Sequence, residues 1–270
     1  MFEKLKFAKY RFSIELKNDC RLPSYLGSTL RGGFGQSFKK NVCLKEDGRC
    51  DGCSLADKCV YLFIFETPKQ DSQQKFVTNK NNPHPFIIEP PQDNKRNYAK
   101  GDRIDFNITL IGNAIEYLPY FVYIFSKLGE MGIGSHRNEF ELKIVNIIPP
   151  TGEEICIYDK NKDDKITNKN IVFDHSWLSE KLSEFSDLTD IEFNFITPAR
   201  IKYEDRFLSK VEFFKFLPGL FRRITLLMYL YCDEDIKDDF KQLIDTAKNV
   251  KIISSSTEWT EMERYSSRQD

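Results

Sequence analysis

Between Leu26 and Pro68 one continuous stretch, LGSTLRGGFGQSFKKNVCLKEDGRCDGCSLADKCVYLFIFETP, joins a glycine-rich basic segment, a set of cysteines and an apolar run. The rest of the chain has to fold around it. Cys43, Cys50, Cys53 and Cys59 follow a C-x6-C-x2-C-x5-C spacing, and Gly48 and Gly52 supply tight turns that let thiolates converge on one cation. The opening MFEKLKFAKY carries charges throughout and lacks the apolar stretch of a secretory signal, which predicts a reducing compartment and disfavours disulfides. A C-x2-C hook within such a set reads as a tetrahedral zinc site; inert thiols and an iron–sulfur cluster are the alternatives. Four thiolates would leave no open position on the metal, so the expected zinc is structural.

Upstream of the cysteines, Leu26, Leu30, Phe34 and Phe38 recur every four residues and lay an apolar stripe on one helix face, while Arg31, Lys39 and Lys40 project elsewhere. Gly27, Gly32, Gly33 and Gly35 each cost about 1 kcal/mol relative to alanine inside a helix. They predict either a break in the helix or the close approach of another backbone. Residues 1–42 hold nine Lys/Arg against three Asp/Glu, and the remainder 31 against 38, so the net charge of −1 conceals a basic N-terminal part. Such a surface suits an anion such as RNA, although a solvated basic face is the commoner meaning.

A chain of 270 residues with 40% hydrophobic content can bury a core and form two domains. Alternation predicts strands over 5–16, 86–88, 103–111 and 140–148, and the apolar run Tyr61–Phe65 suits a central strand ended by Pro68. Residues 70–82 read as a loop. Ile115, Leu118, Val122, Phe125 and Leu128 mark a helix stopping at Gly129. The order strand, helix, strands, helix, strand is the split βαβ of a ferredoxin-like fold. Residues 1–149 form this first domain, with the cysteine loop at 43–59. The polar stretch 150–189 reads as a linker in which Phe173, Trp177 and Leu182 pin a short helix. A second domain, 190–270, opens with a strand at Ile191, Phe193, Phe195 and Thr197. It continues with a helix over 211–231 kinked at Pro218, a helix from Asp233 to about Lys248, and a last strand through Met262, Arg264, Ser266 and Arg268. No apolar run approaches the roughly 20 residues of a membrane span.

The strings LGSTLRGGFGQSF, YLFIFETP, NPHPFIIEPP, ITLIGNAIEYLPYFVYIFSKLGEMGIGSHRNEFEL, FITPARIK and WTEMERYSSRQ, with the cysteine cluster, resemble the CRISPR-associated RAMP endoribonucleases that process precursor CRISPR RNA. The resemblance implies an α+β protein of tandem ferredoxin-like (RAMP/RRM-like) domains that binds CRISPR repeat RNA and cleaves it without metal. In the family, SSRQ leads into a Gly-rich loop and closing strands that touch RNA. The chain carries neither, so the second domain is expected to be cut short. Other CRISPR effector subunits are expected partners, and the expected setting is the prokaryotic cytoplasm. A non-catalytic RAMP subunit holding guide RNA, or a zinc-stabilised interaction module, are the alternatives.

Metal-free RNA cleavage needs a base for the 2′-hydroxyl, an acid for the leaving oxygen and cations for the phosphorane, and it yields a 2′,3′-cyclic phosphate. Of the three histidines, His84 sits between prolines in a segment that reads as structural and His175 lies in the linker. His136, after Gly132 and Gly134 and beside Arg137, is the candidate base. Where many members of the family carry a histidine after GFG, this chain has Gln36, which cannot titrate, and Lys39 becomes a further catalytic candidate. Arg31, Lys40, Arg137, Arg200, Arg222 and Arg264 are candidate RNA contacts, the arginines because guanidinium binds phosphate bidentately. For each, a surface salt bridge is the plain alternative.

Overall fold

The computed structural model describes residues 2–45, 48–66, 82–162, 165–167, 169, 171–185, 188–237 and 240–259. Strand β1 (Lys6–Leu16) leads through β2 (Cys20–Arg21) into helix α1 (Gly27–Val42). The cysteine loop follows, with a 3-10 turn at Ala56–Lys58 and a π-helical segment at Leu62–Glu66. Next come β3 (Phe86–Glu89), β4 (Asn97–Tyr98), β5 (Arg103–Ile111), a 3-10 stretch (Gly112–Tyr117) and helix α2 (Leu118–Met131). The chain continues with β6 (Phe140–Ile148), β7 (Ile155–Asp159), β8 (Phe173–Asp174) and α3 (His175–Glu184), and then with β9 (Lys202–Tyr203), β10 (Arg206–Phe207), α4 (Phe213–Tyr231) and α5 (Lys241–Ala247).

Alternation along β1 dictates a two-faced sheet. Ala8, Tyr10, Phe12, Ile14 and Leu16 are buried on one face, and Lys9, Arg11, Ser13 and Glu15 point the other way. The strands lie in the order β3-β5-β1-β6-β7, each pair antiparallel, and β8 pairs with the start of β1. Within this order β1, α1, β3, β5, α2 and β6 make the expected split βαβ. The helices cover the apolar face. The ring of Phe34 on α1 lies 4.8 Å from both Phe121 and Phe125 of α2, and Phe125 meets Phe12 and Phe106 of the sheet at 5.3 and 5.1 Å. The opposite face is polar and internally paired, with Lys9 on Glu89 at 2.8 Å, Arg11 on Glu154 at 2.7 Å and Lys143 on Glu15 at 3.3 Å.

Several sequence expectations are corrected. Tyr61–Phe65 is not a central strand. Both sides of β1 are already occupied by β5 and β6, and the run coils so that Tyr61 and Phe65 stack 5.6 Å apart beside Phe38. A short apolar run has no periodicity to distinguish the two cases. The stretch 150–189 does more than connect, since it adds β7 to the sheet edge and docks β8 and α3 on β1. Phe173 and Trp177 do pin α3, through Phe7, with Asp174 capping its first amides, whereas Leu182 does not, being on the exposed side of the helix. Gly129 does not stop α2, which ends at Met131 before Gly132 at φ 75°.

No strand forms at 191–197. Phe193 and Phe195 face Phe213 and Phe216 of α4 instead of a strand neighbour. The helix expected from Asp233 is only Lys241–Ala247. Asp233 takes a left-handed φ of 52°, and the Glu234 carboxylate accepts the backbone N–H groups of Glu3 and Lys4 rather than capping a helix. Among the described residues beyond 190, the only sheet is the β9–β10 ribbon, not a second four-stranded one. The strand expected through Met262 and Arg268 lies outside the described residues, as does most of the loop 70–82. The end of α4 packs Leu227, Met228 and Tyr231 around Ile111, which ties it to the first sheet. Among the described residues no helix is long and apolar enough to cross a membrane.

Candidate nucleic-acid interface

Helix α1 buries Leu30, Phe34, Ser37 and Phe38 and turns Ser28, Gly32, Gln36 and Lys40 outward as one i, i+4 row. It does not break at its glycines. A Cβ at Gly33 would lie 3.0 Å from a Leu128 methyl, and one at Gly35 would lie 3.0 Å from the Phe65 ring. The glycines therefore admit neighbouring side chains, where a backbone approach had been one expectation. Ser37 Oγ donates to the Ile124 carbonyl at 3.2 Å, which together with Gly33 against Leu128 sets α1 and α2 antiparallel.

Along the flank of α1 a cation and rings make a shelf. The Arg31 guanidinium lies 5.1 Å from the Phe86 centroid and 6.0 Å from Phe65, and the His84 ring lies 5.8 and 6.0 Å from Phe65 and Phe86. Burial, then the charge of Arg31 and more weakly that of Arg223, brings the His84 pKa down to about 4, against a hydrogen bond with the Ile64 backbone. The imidazole is thus neutral at neutral pH. Its Nδ1 is buried and finds no partner among the described residues, and Asn82 Oδ1 two residues earlier is in the same condition. Tyr231 donates its hydroxyl to the Pro83 carbonyl at 3.0 Å, holding the end of α4 over this segment.

The structure brings Arg31 together with two residues the sequence reading did not select, His84 and Arg223. The exposed pair Arg222–Arg223 on α4 was a visible signal, but nothing in the sequence says that α4 returns to the segment before β3. The other candidates lie apart. Lys40 and Gln36 are exposed on α1, and Lys39 Nζ sits 5.5 Å from the Tyr61 centroid. His136 is exposed in the α2–β6 turn, next to Arg137 at a left-handed φ of 50°. That turn reaches Leu22 through Gly134, near the start of α1. Lys39 is twelve residues beyond Gly27, or ~18 Å of helix at ~1.5 Å per residue, so His136 and Lys39 sit at opposite ends of α1. Arg200 lies 3.9 Å from the Phe207 centroid beside the β9–β10 ribbon, Arg222 is exposed on α4, and Arg264 lies outside the described residues.

Phe86 is buried in the core and Phe65 is packed on Phe34, Phe38 and Tyr61, so this shelf can offer a guanidinium to a phosphate but no open ring to a base, and the imidazole nitrogen could accept a proton only if uncovered. The outer sheet face offers less. From Lys9 to Glu15 it presents no ring, and Lys9 and Arg11 are engaged by carboxylates.

A family model described as AF_1859_N, N-terminal domain, matches residues 5–171. An "Uncharacterized protein" of Archaeoglobus fulgidus (strain ATCC 49558 / DSM 4304 / JCM 9628 / NBRC 100126 / VC-16) is 24% identical over 184 residues, 67% of this chain and 57% of that protein. The chain thus matches little more than half the length of that relative. Among solved structures, a chain of the Csm3–Csm4 subcomplex of the type III-A CRISPR-Cas interference complex is similar at 14% identity and a TM-score of 0.34. That likeness covers 68% of this chain and 97% of the other, and it is too loose to bear on the fold.

Proposed function

From the premise that the chain belongs, through residues 5–171, to the AF_1859_N N-terminal-domain family, we propose that it is a RAMP-type RNA-binding protein that holds CRISPR RNA. The observation that carries this reading is the gathering of cations on one side of α1, where Arg31 lies over the Phe86 and Phe65 rings and Arg223 of α4 stands near His84. The sequence blocks that resemble the CRISPR-associated RAMP endoribonucleases support it. Repeat RNA and other CRISPR effector subunits are the proposed partners, and the prokaryotic cytoplasm is the proposed setting.

Holding rather than cutting is the reading the geometry supports best. Gln36 cannot titrate, and His136 stands a helix length from Lys39. One observation favours a second reading, cleavage of precursor CRISPR RNA: the neutral His84, whose Nδ1 has no partner among the described residues. There Nδ1 would take the 2′-hydroxyl proton, the 2′-oxygen would displace the 5′-oxygen from phosphorus, and that oxygen would gain a proton from water, leaving a 2′,3′-cyclic phosphate. Because Nδ1 is covered, this route requires the end of α4 to lift from Pro83.

Labelled repeat RNA incubated in excess chelator tests both readings. A mobility shift with intact RNA supports holding. Cleavage to cyclic-phosphate ends that His84→Ala abolishes and His136→Ala spares supports the second reading. Absence of any shift for CRISPR repeat and control RNA alike would remove the RNA role altogether.

A further inference from the structure

The cysteine loop carries a chemistry the RNA shelf does not use. No described residue from Cys43 to Val60 is buried, and Leu44 and Leu55 are 84% and 47% exposed, so the loop has no apolar core of its own. What packing it has comes from Cys50, Cys59 and Val60 against the main core. Its backbone is nevertheless wound tightly. The Cys53 N–H donates to the Cys50 carbonyl at 3.1 Å, Ala56 to Cys53 at 3.1 Å and Cys59 to Ala56 at 3.2 Å, while Gly48 and Gly52 take left-handed φ values of 59° and 68°. These turns fold the C-x2-C hook back on itself, and Cys50 and Cys59 both rest against the main core.

All four cysteines are half-buried and none forms a disulfide. The Lys39 side chain at the end of α1 reaches over the loop, its Cε 3.7 Å from where a Cβ on Gly48 would lie. Among the described residues no three Cys, His, Asp or Glu side chains are gathered as closely as a bound metal would hold them. Binding must therefore draw the loop inward.

We propose that Cys43, Cys50, Cys53 and Cys59 bind one zinc ion, which closes the loop against the C-terminal end of α1. The donor set fits, since soft thiolates with a C-x2-C hook select zinc over hard cations. Each thiol gives its proton to solvent as it binds, leaving a centre of charge −2 that the Lys39 ammonium at the end of α1, beside Gly48, partly offsets. The proposal is independent of the RNA reading, because a chain that bound no RNA would still carry the metal.

Protein purified under reducing conditions without chelator is expected to contain about one zinc per chain. Cys53→Ser lowers both metal content and melting temperature, and Cys156→Ser, an exposed cysteine outside the loop, leaves both unchanged. Because Cys53→Ser could simply misfold, the metal-stripped natural chain is also titrated with cobalt(II). Intense tetrahedral-thiolate absorption bands that zinc then bleaches are expected. The proposal is overturned by metal-free protein with no cobalt spectrum and thiols that react equally fast with and without zinc, or by iron and sulfide in place of zinc.

Discussion

Removing the two arginines of the shelf together isolates its electrostatic contribution. Arg31→Met keeps an unbranched stem over Phe86 and Phe65 while deleting the charge, and Arg223→Ala removes an exposed side chain from α4. If each arginine neutralises one phosphate of a single strand, each contributes ~0.7 to the slope of log affinity against log salt, so the pair contributes ~1.4. Between 50 and 200 mM salt the deficit of the double variant should then shrink about sevenfold, from a large loss at low salt to a modest one. Filter binding of single-stranded repeat RNA at four or five salt concentrations measures this, with a thermal melt of each variant to exclude unfolding. Arg31→Met also loses cation–π contacts at Phe86 and Phe65, each about 0.5–1 kcal/mol, so a small drop in stability is expected and does not count against the result. A folded double variant whose salt slope equals that of the unaltered protein would show that these arginines touch no phosphate.

His84 titrates near 4 when folded and near 6.5 when unfolded, so below pH ~6.5 the unfolded state binds the extra proton. Stability should rise with pH between about 4 and about 6.5 and then level off, and His84→Gln should flatten that part of a pH series of urea melts. Gly112→Ala should cost more than the ~1–2 kcal/mol of a left-handed alanine. Its Cβ would stand 2.0 Å from the Tyr231 carbonyl oxygen at φ 59°, and a denaturant midpoint within error of the parent would refute the docking of α4 there.

The first sheet was readable because alternation in β1, β5 and β6 and the four-residue stripe of α1 are properties of neighbouring residues, and burial of one face then leaves few arrangements. The same pattern made Arg31 visible, since it lies off that stripe. Tyr61–Phe65 was misread for the converse reason, because a continuous apolar run has no period. Asp233–Asp235 looked like the acidic first turn of a helix, but Glu234 is committed to amides of Glu3 and Lys4, 230 residues away in sequence. His84 read as structural while only its prolines were in view. Its proximity to Arg31 depends on α1 lying beside β3, and its proximity to Arg223 on α4 crossing back to Pro83 through Tyr231. Local periodicity and spacing thus determined the strands, the basic helix and the cysteine set, whereas the assembly of the shelf and the separation of His136 from Lys39 were decided by contacts between distant segments, which leave no periodic trace in the chain.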